Sequence, residues 1–230
     1  MGAKKRSPKR KAAKKKTATK LIDRLISQLN ALVAFLALSR PEFFAIIKQH
    51  HAQWFAPEDE GALPESETIY QTQVAHAAFV LGYSYAEAFL ADLIRDIYLS
   101  HPEALPRDKE IKFGDVLERS SYDEVFVYMI EKEVLAVMYS SMDKIIKYFE
   151  DRLGLQWPSS ERAAIVKANL LRNCIIHNNA VADSRLAANC TDWTEGAKIA
   201  LSVSTVHEFG IVARATARDL YRQVEEKFLR

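Results

Sequence analysis

Two cysteines in 230 residues, Cys174 and Cys190, come without a CxxC pair or a histidine at metal-ligand spacing, so neither a disulfide framework nor a zinc site is expected. That usage suits a reducing, cytoplasmic setting. Seven glycines and seven prolines are too few for many short strands joined by tight turns, while 49% hydrophobic residues suffice for a core. The expectation is an all-α protein. The apolar run at residues 31–38 spans eight positions after Asp23, Arg24, Gln28 and Asn30, too short to cross a bilayer, so neither a membrane span nor a cleaved signal is expected. His50, His51, His76, His101 and His207 form no HExxH pattern, which disfavours a metal-dependent hydrolase and implies no metal or cofactor. Arg6 stands where a myristoylation signal needs Ser or Thr.

The charge is present but unevenly spread. Residues 1–20 hold ten of the 32 Lys/Arg and no acid, which leaves 22 bases against 30 acids and a body of about −8. An acidic body argues against a fold that is itself basic and nucleic-acid-binding. Phosphate attraction is concentrated in the tail, at Lys4, Lys5, Arg6, Lys9, Arg10, Lys11, Lys14, Lys15 and Lys16. With almost nothing apolar to pack, residues 1–20 are expected to be disordered, either as a counterion-releasing arm for RNA or DNA or as a solvated or solubilising extension. Residues 21–230 are long enough for one domain with its own core.

Helical spacing dominates that domain. Leu21, Ile22, Leu25, Ile26, Leu29, Leu32, Val33 and Leu36 predict a helix to about Arg40, where Pro41 interrupts and opens a second one to about Phe55. His50, His51 and Trp54 lie in that second segment, and adjacent histidines face different ways. Residues 56–67, with Pro57, Gly61 and Pro64, read as a loop. Val74, Ala78, Leu81, Tyr85, Phe89 and Leu93 then mark a long central helix over about 68–100, in which Gly82 suggests close packing by another helix. Glu87 within it is either a carboxylate paired with a cation or a solvent-facing residue. A short helix is expected over 114–119. Ser121 with Glu124 forms a capping box for the next, whose core side is Val125, Met129, Val134, Val137 and Met138. A helix over 143–153 should stop at Gly154.

Ser159, Ser160 and Glu161 launch the segment that concentrates the chemistry. Ala164, Ile165, Ala168, Leu171 and Ile175 give it a buried face, and Asn178-Asn179 can end it because Asn tolerates the left-handed conformation. Asn173 and His177, four apart, share a helical face, with Arg172 rotated by about 100° from Asn173. Arg offers a planar cationic fork to phosphate and His exchanges a proton near neutral pH, which together suit phosphodiester chemistry. A site with one His and one Arg is thin for in-line attack, which gains from both an acid and a base; two copies facing each other supply both. The opposing view is that His177 is a structural residue near a helix end. Residues 181–194 read as a loop and 198–203 as a short strand or the approach to a last helix, carrying Phe209, Val212, Leu220, Tyr221, Val224 and Phe228.

Arg172-Asn173-Cys174-Ile175-Ile176-His177, followed by Asn178-Asn179, resembles the R-x4-6-H motif of the HEPN superfamily, including a polar residue directly after the Arg. Tyr83-Ser84-Tyr85-Ala86-Glu87-Ala88-Phe89-Leu90-Ala91-Asp92-Leu93 and the closing helix extend the similarity to roughly residues 20–230, nearest to branches of bacterial toxin and phage-defence (abortive-infection) systems. The resemblance implies an up-and-down helical bundle, a homodimer that joins two motifs, and metal-independent endoribonuclease activity through ribose 2′-hydroxyl attack. In it, Arg172 would stabilise the phosphorane, His177 would act as acid or base and Asn173 would position them, with Glu87 and Asn178 in support. RNA is the implied substrate and an antitoxin or defence-system protein a possible partner. Some members of that superfamily lack catalysis, so the alternative is a helical dimer that binds nucleic acid or a partner protein.

Overall fold

A computed structural model describes the backbone of residues 8–37, 41–50 and 63–229. These residues are mostly helical, with no strand among them beyond an isolated antiparallel bridge between Val181 and Lys198. The helices are α1 (Pro8–Ala37), α2 (Pro41–His50), α3 (Leu63–Ser100), α4 (Phe113–Leu117), α5 (Tyr122–Met138), α6 (Met142–Lys147), α7 (Ser159–His177), α8 (Ser184–Asn189) and α9 (Val203–Val224). The all-α expectation holds. Wider π turns, Tyr148–Arg152 and Glu225–Leu229, extend α6 and α9.

Two differences from the sequence reading concern helix starts. α1 begins at Pro8, so helical backbone runs through much of the basic segment read as disordered; alanines and long-chain lysines are good helix formers, and Pro is at home in a first turn. Lys4, Lys5 and Arg6 lie outside the described residues. α3 begins at Leu63, inside the segment read as a loop, because Pro64 falls in a first turn where its missing N–H costs nothing. Residues 51–62, with His51 and Trp54 from the expected end of the second helix and the first part of the expected loop, lie outside the described residues, and His50 is exposed on α2.

The chain divides into two compact units, each assembled from separated segments. The first comprises Met1–Leu25, Ala86–Arg162 and Arg214–Arg230. Phe89, Leu93, Ile94 and Ile97 of α3 are buried there, as are Ile130, Val134 and Val137 of α5 and Ile145, Ile146 and Phe149 further on. Ser121 caps α5 by accepting from the Glu124 amide at 3.2 Å, and the Glu124 carboxylate accepts from the Ser120 amide at 2.8 Å, one residue before the amide a capping box would use. The buried stripe of α5 is Ile130, Glu133, Val134 and Val137; Val125, Met129 and Met138, expected in the core, are only half-buried. Glu133, 6% exposed, accepts from the Tyr148 hydroxyl at 2.9 Å, and Tyr148 is in turn hydrogen-bonded to Tyr98. Burial pushes the Tyr98 hydroxyl above its usual range and that of Tyr148 well above it. Gly154, at φ +58°, ends the α6 segment, and Lys227 Nζ donates to the Leu153 carbonyl at 2.7 Å and that of Gly154 at 3.1 Å.

The second unit comprises Ile26–Tyr85 and Ala163–Ala213 and contains the whole Arg-Asn-x3-His motif. Leu29, Leu32 and Leu36 of α1, Ala78, Phe79 and Tyr83 of α3, and Phe209 of α9 are buried in it. A Cβ on Gly82 would stand 3.1 Å from Leu32 Cδ1 and 3.6 Å from Phe209, which is the close helix approach its presence suggested. Residues Gln71–Ser100 of α3 are long and apolar enough, by length and composition, to cross a membrane, with 44% of the apolar window buried in the protein. Within the first unit, Arg24 and Arg95 both pair with Asp92 of that helix, and Arg95 also forks onto Glu131.

Candidate functional site

α7 presents two different faces over its last three turns. Ile165, Ala168, Leu171 and Cys174 repeat every three residues and are buried, so Cys174 takes the core place the sequence reading gave to Ile175. Burial pushes the Cys174 thiol up, which keeps it protonated and unreactive. On the other face stand Asn169, Asn173 and His177, at successive steps of four, while Arg172, half-buried, projects close to Ile165 at the edge of the buried face.

A directional chain of hydrogen bonds runs along that face. Arg172 Nη1 donates to Asn173 Oδ1 at 3.0 Å, Asn173 Nδ2 to Asn169 Oδ1 at a long 3.5 Å, and Asn169 Nδ2 to the Tyr83 hydroxyl at 2.8 Å. Each amide thus accepts with its oxygen and donates with its nitrogen. The Arg172 guanidinium carbon also lies 5.8 Å from the centroid of the Tyr83 ring, within cation–π range. Tyr83 is 1% exposed, whereas Asn169, Asn173 and Arg172 are half-buried.

His177 is the last residue of α7 and is exposed. Five positions separate it from Arg172, about 140° of rotation and about 7.5 Å of rise, so the two side chains leave the helix in different directions. The turn that follows is tightly specified. The amides of Asn178 and Ala180 both bond the Cys174 carbonyl at 3.0 Å, the second reaching back six residues, one more than the usual helix-ending closure. Asn179 at φ 51° and Ala180 at φ 56° are both left-handed. Asn178 Nδ2 donates to the Val181 carbonyl at 2.7 Å, so the amide read as a supporting residue holds this turn. The Ile199 amide bonds the Ala180 carbonyl at 2.8 Å, and buried His76 on α3 bonds the Ile199 carbonyl.

The segment 181–194, read as a loop, contains α8. Asp183 caps it by accepting from the Leu186 amide at 2.8 Å, which also holds the Asp183 carboxyl below its ordinary range. Lys167 pairs with Asp192 and lies 5.2 Å from the Trp193 ring centroid, bracing α7 against the 190–194 segment.

The structure therefore joins Arg172 and Asn173 directly and places His177 one turn beyond Asn173. Glu87 is half-buried on α3 and belongs to the first unit. Lys9, Arg10, Lys11, Lys14, Lys15 and Lys16 fall on the α1 backbone. Sequence reasoning did not single out Asn169, although its position four residues before Asn173 was available as a signal. In the sequence Tyr83 stands out only as the first residue of the stretch 83–93 that carries the resemblance. Among the described residues no three or more His, Cys, Asp or Glu converge as metal ligands would. The first unit holds a pocket of about 120 Å³ edged by Lys109, Lys132 and Glu133, with none of the motif residues in its lining.

Comparison with protein-family models, curated proteins and solved structures gives no match.

Proposed function

We propose that this chain is a HEPN-like, metal-independent endoribonuclease whose active site is completed by a second copy. The observation that carries the reading is the end of α7, where Arg172 is hydrogen-bonded to Asn173 and His177 is exposed one helical turn further on. An imidazole open to solvent can meet an RNA ribose, and a guanidinium held by an amide can meet the adjacent phosphate.

In this reading the 2′-hydroxyl of one nucleotide attacks its own 3′-phosphate. One His177 takes the hydroxyl proton as the new O–P bond forms. The bond from phosphorus to the 5′-oxygen then breaks, and a protonated His177 from the second copy supplies the proton to that leaving oxygen. The products are a 2′,3′-cyclic phosphate and a 5′-hydroxyl, and no oxidant or metal enters the balance. Arg172 stabilises charge on the pentacoordinate phosphorus, and Asn173 holds Arg172. The divergence of Arg172 and His177 around α7 favours a site shared between two helices over one built on a single helix.

The N-terminal lysines and arginines add sequence-independent attraction to RNA through counterion release, which predicts binding that weakens steeply with salt. A toxin or phage-defence role, in a helical-bundle homodimer held in check by an antitoxin or a defence partner, completes the proposal. The test is RNA cleavage in EDTA by wild type, Arg172→Ala and His177→Ala, with the cleaved ends mapped. Equal cleavage by wild type and His177→Ala would remove His177 from the mechanism.

A further inference from the structure

The chemistry at Arg172 needs the guanidinium in one orientation, yet Arg is long, and on a half-buried helix face it can adopt several rotamers. What fixes it is spread along α7 and onto α3. Asn173 Oδ1 accepts from Arg172, Asn169 Oδ1 accepts from Asn173, and the Tyr83 hydroxyl accepts from Asn169. Tyr83 is anchored at the far end: it is 1% exposed, and its ring lies 6.0 Å from that of Phe209, itself packed against Phe79 at 5.2 Å. The Tyr83 ring also faces the guanidinium. One buried tyrosine therefore acts on Arg172 twice, through its ring directly and through its hydroxyl by way of two amides.

We infer that Tyr83 and Asn169 are positioning residues for Arg172, forming with Asn173 a relay that transmits the rigidity of the α3–α9 packing to the guanidinium. The inference rests on the reading of the site as an RNA-cleaving one, and it adds two residues outside the Arg-Asn-x3-His motif. The order of the relay has chemical consequences. Because each amide both accepts and donates, replacing Asn169 by Ala cuts the connection in the middle and leaves Arg172 and Tyr83 chemically intact. Replacing Tyr83 by Phe removes the hydroxyl and keeps the ring over Arg172. Both changes leave the apolar face of α7 untouched. The longest link, Asn173 to Asn169, is the one most sensitive to helix distortion.

Two measurements on the full chain test this. The first is the nitrogen–proton NMR signal of the Arg172 Nε group, assigned by its loss in Arg172→Lys, in wild type, Tyr83→Phe and Asn169→Ala. A relay predicts a shifted or broadened signal in both variants while the melting transition stays cooperative. An unmoved signal in both overturns the inference whether or not the protein cleaves RNA. The second is single-turnover cleavage of a short RNA in EDTA, with RNA affinity measured separately. Asn169→Ala is expected to lower the cleavage rate by roughly 10- to 100-fold with affinity little changed, the scale of a misplaced catalytic group. Asn169→Ala combined with Asn173→Ala should lose no more than the worse single variant, since both cut one chain. Losses that multiply, or a rate equal to wild type in Asn169→Ala, contradict the relay. An absence of cleavage by wild type would count against the endoribonuclease reading alone, because the NMR signal still decides the relay.

Discussion

His76 Nε2 stands 3.0 Å from the carbonyl oxygen of Ile199, a residue 123 positions away, and that oxygen belongs to the strand-like segment whose amide holds Ala180. A neutral imidazole with its proton on Nε2 satisfies this carbonyl. Burial pushes the His76 pKa below its ordinary 6.5, outweighing the opposite pull of the bond to Ile199. Since the unfolded chain takes up the proton more readily, His76 favours the folded state fully above pH 6.5, and that contribution is lost as pH falls through 6.5 toward the lower folded value. Denaturant midpoints taken from about pH 8 down to about pH 5 should decline, and His76→Gln, which keeps an N–H donor without titrating, should flatten the decline. Equal slopes for the two proteins would contradict this account.

Ala180 adopts φ 56°, a conformation that costs an L-residue with a Cβ roughly 1–2 kcal/mol. Ala180→Gly relieves that strain and gives back part of the gain in unfolded-chain entropy, for a net increase of about 0.5–1 kcal/mol in unfolding free energy. Urea titration reads the change directly, and a lower midpoint would mean that Ala180 is not strained. The adjacent Asn179, also left-handed, tolerates its place better because its side chain suits that region.

The Tyr148 hydroxyl donates at 2.9 Å to a carboxylate that is only 6% exposed. Tyr148→Phe leaves Glu133 buried with one donor fewer, at a cost of about 1–3 kcal/mol. Glu133 also pairs with Lys109 at 3.5 Å, so the comparison is made within one background: Tyr148→Phe should cost less in Glu133→Gln than in wild type, because an amide that loses a donor is cheaper to bury than a carboxylate. Equal losses from Tyr148→Phe in the two backgrounds would mean that the hydroxyl-to-carboxylate bond is not their source.

Ser121 receives the Glu124 amide at the start of α5. Ser121→Ala should cost about 1 kcal/mol and Ser121→Gly only a few tenths, and thermal melts of the two variants separate a cap from a packing effect. Equal losses in both would show that the side-chain oxygen does nothing there.

That cap was legible in the sequence because its signal is local: Ser121 and Glu124 lie within one turn. The same holds for the leucine stripe of α1, the stop at Gly154 and the close approach at Gly82, each of which depends on nearby residues or on a missing side chain. What depends on partners far along the chain was not legible. Nothing near Asn169 announces that Tyr83, 86 positions earlier, will meet its amide, and nothing near His76 announces Ile199. Cys174 and Ile175 are neighbours with equal claim to the core, and which of them enters it is set by where α7 meets its packing partners. α8 is the instructive miss, since Asp183 before Ser184 is an ordinary cap signal; a helix of six residues carries too little periodicity to stand out from a loop. Pro64 and the N-terminal lysines show the converse, with residues that punctuate or solvate a chain also fitting a helix's first turn or exposed face.

The most direct test of the central claim is cleavage of a defined RNA by purified wild-type protein in EDTA, set beside His177→Ala and Arg172→Ala. The account predicts cleavage by wild type that leaves 2′,3′-cyclic phosphate and 5′-hydroxyl ends, with each variant slower by at least about 100-fold. Equal cleavage by wild type and the variants, or activity that appears only when a divalent metal is added, would contradict it.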